Sequence, residues 1–418
     1  MNPVENRPDI VRGKRGIAFL LLFSSFYLGL NYLWISYESL ILPEQILVAF
    51  PSFERGLALG AIASGGVALG VIVNIISGVV SDQLHSRWGR RTPLIIAGTI
   101  LLVAVLALVA VIPITIPLVV TGFVFMQVFS NLAQGAFQPL LPDLFPHEKR
   151  GEVGGFLGLY ALIGDALGFG ITGLLVGIGY LSVSVFVIIV PVLLTTSLML
   201  FTVRKYDAPY LGTSIGVRKA FVKIFSPEES VPGFIWLVMG SFLVLIGSSG
   251  LVYFELYFFK YILNIPNPAF GVAIAGVVVL ITGMAAALGL GYLSDKIGRK
   301  IILISAALVG GVAMLSLPFA RSFYVFLIVA AVVGATTGLF LSVEMAYASD
   351  LVPKRSSGQY MAYSNIAFGG SSSFAPLVDG AIFYVFRSNI YQSFTAMFFL
   401  ASFFYFVGAA ILLKTPKR

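Results

Sequence analysis

Residues 93–112 read PLIIAGTILLVAVLALVAVI, twenty residues without one charged side chain. A helix of about 20 apolar residues matches the hydrocarbon core of a bilayer, which is about 30 Å thick. Similar runs recur along the 418-residue chain, which is 58% hydrophobic and only 11% charged. Because soluble domains carry about 25% charged residues, this composition predicts a membrane protein.

Eleven further runs flank this one, so the chain is expected to cross the membrane twelve times. The spans lie near residues 16–36, 57–80, 93–112, 117–142, 153–178, 181–203, 233–262, 269–292, 301–320, 323–349, 359–386 and 391–413. Lipid offers the backbone no water, so each span must be a helix unless strands close into a barrel. The alternating segments of about 10 residues that a barrel requires are missing. We predict an all-α polytopic membrane protein.

Basic residues are distributed unequally between the two sides of the membrane. Of the 26 lysines and arginines, 22 fall at the termini or in loops on one side. The positive-inside rule then places both termini in the cytoplasm and the chain in the cell membrane. This distribution explains the net charge of +8 without a nucleic-acid partner. Within the longest polar stretch, residues 216–225 are either a basic amphipathic segment on the membrane surface or part of a disordered linker.

The residues that precede the run at 93–112 are repeated in the second half of the chain. GVVSD at residues 78–82 ends span two, and GYLSD at 291–295 ends span eight. DLFP at 143–146 and DLVP at 350–353 end spans four and ten. Duplication of a six-span unit is a transporter architecture. It predicts two pseudo-symmetric six-helix halves, 1–203 and 233–418, joined by a cytoplasmic linker, 204–232.

The repeated loops also carry a family resemblance. GYLSDKIGRK at residues 291–300 resembles the loop signature of the major facilitator superfamily. The copy at 78–93 is longer, and together with residues 131–143 it is similar to the sucrose-type and glycoside–pentoside–hexuronide cation symporters. The resemblance implies the major facilitator fold, a small-molecule substrate and a gate at these loops. It also implies that spans one, four, seven and ten line a central cavity.

Elementary electrostatics supports such a gate. Asp82 and Asp295 lie at the predicted C-terminal ends of their spans, where the helix dipole disfavours a carboxylate, so each needs a partner. If the loops served only to set topology, lysine and arginine would suffice and the aspartates would be superfluous. We therefore predict a cytoplasmic gate that holds one conformation and breaks in the other. Its members are Asp82, Arg90, Arg91, Asp295, Arg299 and Lys300.

Polar side chains form two stripes inside the spans, where such groups are energetically unfavourable. Span four carries four amides, and span one carries Tyr27, Asn31, Trp34 and Glu38, at helical spacings that put each set on one face. Amides bond hydroxyl groups and aromatic rings cover the apolar side of a sugar, which predicts substrate contacts. Interhelical hydrogen bonding is the alternative. The predicted substrate-binding residues are Asn31, Trp34, Gln127, Asn131, Gln134 and Gln138, with Tyr253 and Tyr257 of span seven.

Carboxylates inside the spans are candidates for ion coupling. These are Asp165, Glu255, Glu344 and Glu38. Asp165 is the deepest, ~18 Å along span five at 1.5 Å per residue. A carboxyl group there could bind and release a proton, or it could stay neutral beside the packing face of Gly164, Gly168 and Thr172. A fifth carboxylate, Asp379, is expected to neutralise Arg387 or Arg321.

These observations together predict a secondary active transporter. It would move a small polar solute, a sugar or glycoside, by alternating access with a proton as partner, and it would be a monomer. An organic-anion or drug carrier of the same superfamily, or a non-transporting receptor or scaffold on this fold, are the alternatives. The chain has no P-loop, zinc motif, serine–histidine constellation or cysteine, so no enzyme activity, metal or cofactor is expected.

Overall fold

The computed structural model describes residues 13–84, 86–146, 149–207, 231, 233–351 and 357–416. The described chain is helical, and its long helices follow the predicted spans, so the all-α polytopic fold is confirmed. The helices are α1 (Gly16–Ala49), α2 (Arg55–Gln83), α3 (Thr92–Val111), α4 (Ile116–Leu144), α5 (Arg150–Gly177), α6 (Leu181–Val203), α7 (Phe234–Tyr261), α8 (Pro268–Ile297), α9 (Arg299–Phe319), α10 (Phe323–Leu351), α11 (Ser357–Val385) and α12 (Ile390–Leu412). The predicted amphipathic segment at 216–225 lies outside the described residues.

Eleven of these helices are long and apolar enough to cross a bilayer. The remaining one, α11, has 29 residues and is long enough, but it carries three consecutive serines at 371–373. Helix α1 continues well past its predicted end at residue 36, to Ala49. The extension continues the helix because residues 37–42 contain neither proline nor glycine, and Pro43 lies in the first turn of the segment Leu42–Ala49, where a missing N–H is tolerated.

Three of the helices are irregular at their centres, which the sequence analysis did not predict. Helix α1 contains a π-helical segment at Tyr37–Ile41, and α5 contains another at Gly168–Thr172. Helix α7 is interrupted at Gly250, between Phe234–Ser249 and Leu251–Tyr261. π-Helical turns are rare and are found frequently at functional sites, so these segments direct attention to the residues beside them.

The chain divides into two compact units. The N unit comprises Met1–Ile41 and Leu69–Ala220, and the C unit comprises Leu42–Ala68 and Phe221–Arg418. The packing units therefore differ from the predicted halves at residues 42–68. The halves 1–203 and 233–418 were predicted from the duplicated motifs, and that division stays a prediction.

Close backbone approach explains why residues 42–68 pack within the C unit. A β-carbon on Gly60 would stand 2.2 Å from the carbonyl oxygen of Pro376 and 2.8 Å from Cα of Gly380. Glycine thus lets the first part of α2 lie directly against α11. The hydroxyl of Tyr257 also donates to the carbonyl of Pro43, 3.1 Å away, which attaches the last part of α1 to α7.

An aromatic core holds α1 and α4 together in the N unit. The ring of Phe137 lies 4.8 Å from that of Phe23 and 4.5 Å from that of Phe26. Phe145 packs edge-on against Phe23 at 5.0 Å. All four side chains are almost completely buried. Such contacts fix the rotation of both helices, and so they decide which face of α4 meets the polar face of α1.

Candidate functional site

The amide stripe of α4 is a hydrogen-bonded network in the N unit. The side chains of Gln127, Asn131 and Gln134 are buried. Asn131 donates to the side-chain oxygen of Gln127 at 3.2 Å. Asn74 of α2 donates to Gln134 at 2.8 Å and to Asn131 at 3.3 Å. Asn74 was missed by the sequence analysis, because an isolated asparagine in α2 forms no stripe of its own.

The polar stripe of α1 meets this network. The side-chain amide of Gln127 donates to Oε1 of Glu38 at 2.9 Å, and the indole N–H of Trp34 donates to the hydroxyl of Ser130 at 3.4 Å. Asn31 is half-buried and donates to the backbone carbonyl of Tyr27. Gln138, at the other end of the stripe, is exposed. The structure thus brings Glu38, Trp34 and the three buried amides together, while the substrate contacts themselves stay predictions.

The predicted coupling residue Asp165 lies beside the same polar face. Its carboxyl group is half-buried and close enough to Glu38 for the two charges to repel each other. Each carboxylate also lies in or next to a π-helical segment: Glu38 within Tyr37–Ile41, and Asp165 just before Gly168–Thr172.

The two helices that carry these carboxylates pack closely at the irregular segments. The hydroxyl of Thr172 donates to the hydroxyl of Ser36 at 2.8 Å. A β-carbon on Gly168 would stand 2.3 Å from the side chain of Ile35, so only glycine allows this approach. The predicted packing face of α5, Gly164, Gly168 and Thr172, is thereby observed against α1, and it holds Asp165 near Glu38.

Four predicted site residues lie in the C unit. Tyr253 and Tyr257 are buried, and the hydroxyl of Tyr257 bonds to Pro43. Glu255 is half-buried, on a different face of α7 from the two tyrosines. Glu344 is buried in α10 beside Ser364 of α11. The roles of these four residues in binding or coupling stay predictions.

A charge cluster joins α2, α3 and α4 at the predicted gate of the N unit. The guanidinium of Arg91 is only 2% exposed and pairs with Asp82 at 2.5 Å and with Asp143 at 3.1 Å. Arg90 pairs with Asp143 at 2.6 Å. Arg91 also donates to the hydroxyl of Ser81. Asp82 therefore has the basic partners that its position at a helix C-terminus requires. These four charged residues are called the N cluster below.

Asp207 supports the N cluster from the start of the linker, and sequence reasoning missed it. Its carboxylate accepts hydrogen bonds from the backbone N–H groups of Arg90, Arg91 and Thr92, the last at 2.8 Å, and from the Thr92 hydroxyl. It thus satisfies the free N–H groups at the start of α3. Gly89 has a φ of 97°, and any β-carbon there would collide with Asp207. An aspartate 115 residues away in sequence gives no local capping signal.

Replacing Asp207 with alanine is expected to destabilise the protein by about 1–2 kcal/mol, because three backbone N–H groups lose their acceptor. Thermal unfolding of the purified protein in detergent measures the effect. Asp207→Asn keeps an acceptor oxygen and should lose less stability than Asp207→Ala. Equal stability of Asp207→Ala and the native protein would contradict the capping role.

The C unit repeats part of this arrangement. Arg299 pairs with Asp350 at 2.7 Å and donates to the carbonyl of Ala346. Asp350 and Asp143 hold the same place in the duplicated motif, so an arginine at the start of one helix meets an aspartate at the end of another in both units. Lys300 bonds to the carbonyls of Leu413 and Thr415 at the end of α12. The side chain of Asp295 lies outside the described residues.

The predicted pairing of Asp379 with Arg387 or Arg321 is wrong for the described residues. The guanidinium of Arg387 lies over the ring of Tyr384, 4.7 Å from its centroid, and donates to the Tyr384 carbonyl. Asp379 instead points into the interior of the C unit, where it is 9% exposed. The sequence suggested these arginines as partners because a single polar residue does not reveal the rotation of α11.

Eleven described helices that could cross a bilayer, a duplicated loop motif and polar networks inside the helices are the features of a multi-pass membrane transporter. The chain belongs to the Major Facilitator Superfamily, whose family model matches residues 16–290 and 237–418. The predicted family is therefore confirmed. The chain is also similar to "Sucrose transport protein SUC4" of Arabidopsis thaliana, with 25% identity over 276 residues. That match covers 57% of this chain and 52% of the relative, so the chain spans about half the length of the relative it matches.

Solved structures share the fold across nearly the whole chain. A D-xylose-proton symporter superposes with a TM-score of 0.67 at 18% identity, covering 93% of this chain and 96% of that one. The peptide transporter POT, solved in complex with sulfate, gives a TM-score of 0.71 at 15% identity, covering 96% and 95%. At these identities the superpositions establish the fold alone.

Proposed function

We propose that this protein is a secondary active transporter that moves a sugar or glycoside together with a proton by alternating access. It would act in the cell membrane with both termini in the cytoplasm, as the distribution of basic residues predicts. The observation that carries the proposal is the hydrogen bond between Gln127 and Glu38, because it joins a predicted substrate contact to a predicted proton carrier.

This hydrogen bond offers a direct route for coupling. A charged Glu38 can only accept hydrogen bonds, and it engages the amide N–H of Gln127. A proton on Glu38 replaces one acceptor site with a donor and weakens that bond. The Gln127 amide is then free to donate to a solute hydroxyl. Proton binding and solute binding would thus favour each other, as symport requires.

Asp165 strengthens this route. Two carboxylates in a weakly polar region repel each other, so a single proton taken up by the Asp165 and Glu38 pair lowers the energy of both. Glu38 and Asp165 each belong to a helix with a π-helical segment. A change in their charge would therefore alter the forces on α1 and α5 where these helices are least regular.

The polar groups of this network favour a neutral solute. Amides, an indole N–H, a hydroxyl and carboxylates line it, and the described network contains no cationic side chain that would hold an organic anion. The relatives add support, since one is named as a sucrose transport protein and a structural neighbour as a D-xylose–proton symporter. An organic-anion carrier is therefore the less favoured candidate.

Uptake into proteoliposomes tests the proposal. We expect saturable uptake of one member of a panel of labelled mono- and disaccharides, stimulated by an inward proton gradient and lost on adding a protonophore. Gln127→Ala should lower apparent affinity at least ~10-fold, since a buried amide partner is removed from the solute. Gln392→Ala is the matched control, because Gln392 is an exposed amide in α12.

Two outcomes would count against the proposal. Saturable flux of organic anions or peptides without sugar flux would assign a different substrate class. Ligand binding without any flux, measured by thermal shift on the same preparations, would indicate a receptor on a transporter fold.

A further inference from the structure

The interruption of α7 faces a buried carboxyl group. A β-carbon on Gly250 would stand only 1.6 Å from Oδ2 of Asp379, so the carboxylate of α11 occupies the space where a side chain would be. Asp379 is 9% exposed and forms neither a hydrogen bond nor an ion pair with any residue that the structure describes. A buried polar group without a partner is rare and calls for an explanation.

The surroundings of Asp379 are apolar. A small cavity beside it is lined by residues of α7, α9, α11 and α12, and Asp379 is its one titratable group within the described chain. Among the lining side chains are Ile246, Leu251, Met314 and Met397. A permanent charge here would be strongly unfavourable without a counter-ion. The site therefore suits a carboxyl group that carries a proton.

The helix interruption supplies partners for both forms of the carboxyl group. The first part of α7 ends at Ser249, and carbonyl groups in the last turn of a helix lack intrahelical donors. A protonated carboxyl can donate to such a carbonyl. The second part begins with backbone N–H groups at the positive end of its dipole, which favour the ionised form; of these, the N–H of Tyr253 donates to the Gly250 carbonyl at 3.2 Å. Discontinuous helices hold ions in this manner in transporters.

We propose that Asp379 and the interruption of α7 at Gly250 form a proton-binding site in the C unit. The site is separate from the Asp165 and Glu38 pair, and its link to transport rests on the proposed proton-coupled function. Binding and release of the proton would exchange the partners of Asp379 across the interruption, which would alter the angle between the two parts of α7.

Infrared spectroscopy of the full chain in lipid tests the site without any solute. We expect a C=O stretch of a protonated carboxyl that disappears as pH rises, and that is absent from Asp379→Asn. Asp165→Asn should remove a different component. Glu152→Gln, at an exposed carboxylate on α5, is the control and should leave both components unchanged.

A second variant guards against misfolding of Asp379→Asn. Gly250→Ala places a methyl group where the carboxylate lies, so we expect the C=O band of Asp379 to shift in frequency and in titration midpoint. Gly289→Ala is the matched control, because a β-carbon there would meet nothing within 4 Å. The proposal would be overturned if Asp379→Asn or Gly250→Ala folds and still shows the C=O band of the native protein unchanged.

The outcome separates this site from the proposed function. If the band of Asp379 titrates but no sugar is taken up, the site stands and the sugar symport fails. If proton-driven sugar uptake is observed while Asp379→Asn retains every titrating band, the site fails alone. Loss of the band on adding sodium at constant pH would assign a metal cation instead of a proton and would also overturn it.

Discussion

Replacing Arg91 with methionine is expected to destabilise the protein more than any other single change in the N cluster. Its guanidinium is buried and joins two carboxylates from different helices, Asp82 and Asp143. Without it, these acidic groups share only Arg90. Removing one partner of a buried ion pair costs about 3–5 kcal/mol, and we expect about 2–3 kcal/mol here because Asp82 is half exposed and partly solvated. Thermal unfolding in detergent measures the loss.

Three variants make this prediction specific. Arg91→Lys keeps the charge but lacks the planar guanidinium that bonds two carboxylates at once. Its stability should therefore lie between that of the native protein and that of Arg91→Met. Arg87→Met removes an exposed arginine from the same loop and should be neutral. Adding Asp143→Asn to Arg91→Met should restore part of the stability, since one unpaired carboxylate is gone. If Arg91→Met and Arg87→Met unfold at the same temperature, the N cluster contributes little to stability.

Asp165→Asn is expected to abolish concentrative uptake under a proton gradient, with the accumulation ratio falling at least ~10-fold, to that of passive equilibration. An amide has the shape of the carboxyl group but cannot carry a proton. Exchange of labelled for unlabelled solute at equal concentrations should continue, because it requires no net proton movement. Steady-state accumulation and exchange, measured on the same proteoliposomes, distinguish the two processes.

Glu38→Gln provides the comparison for Asp165→Asn. It removes the other carboxylate of the pair and also the acceptor for Gln127, so it should reduce both accumulation and exchange. Glu152→Gln, on the exposed surface of α5, should change neither. Accumulation by Asp165→Asn at the native level would transfer the coupling role to another carboxyl group, with Asp379 and Glu344 the remaining buried ones.

Much of the fold could be predicted because lipid imposes a simple rule on the chain. Uninterrupted apolar runs such as 93–112 must be helices, and charged loops orient them. The polar stripes were informative for the same reason, since polar groups inside a membrane need partners. Spacing alone placed Trp34 and Glu38 on one face of α1, and the structure brings that face against α4.

The remaining features depend on contacts that spacing cannot reveal. Asp207 caps α3 from the beginning of the linker, and Asn74 completes the amide network from α2. Neither residue belongs to a local pattern. Asp379 was assigned to the wrong partner because the rotation of α11 is decided by the close approach of Gly60 to Pro376 and Gly380, which is a tertiary contact.

The π-helical segment of α1 also affects how this sequence should be compared with others. Such a segment contains one residue more than an α-helical turn, and each residue rotates a helix by about 100°. Residues after Ile41 therefore point in directions that a continuous 3.6-residue count from Tyr27 would assign to their neighbours. An alignment to a relative with an unbroken first helix requires a one-residue gap within 37–41, or every later position as far as Ala49 will be matched to the wrong face.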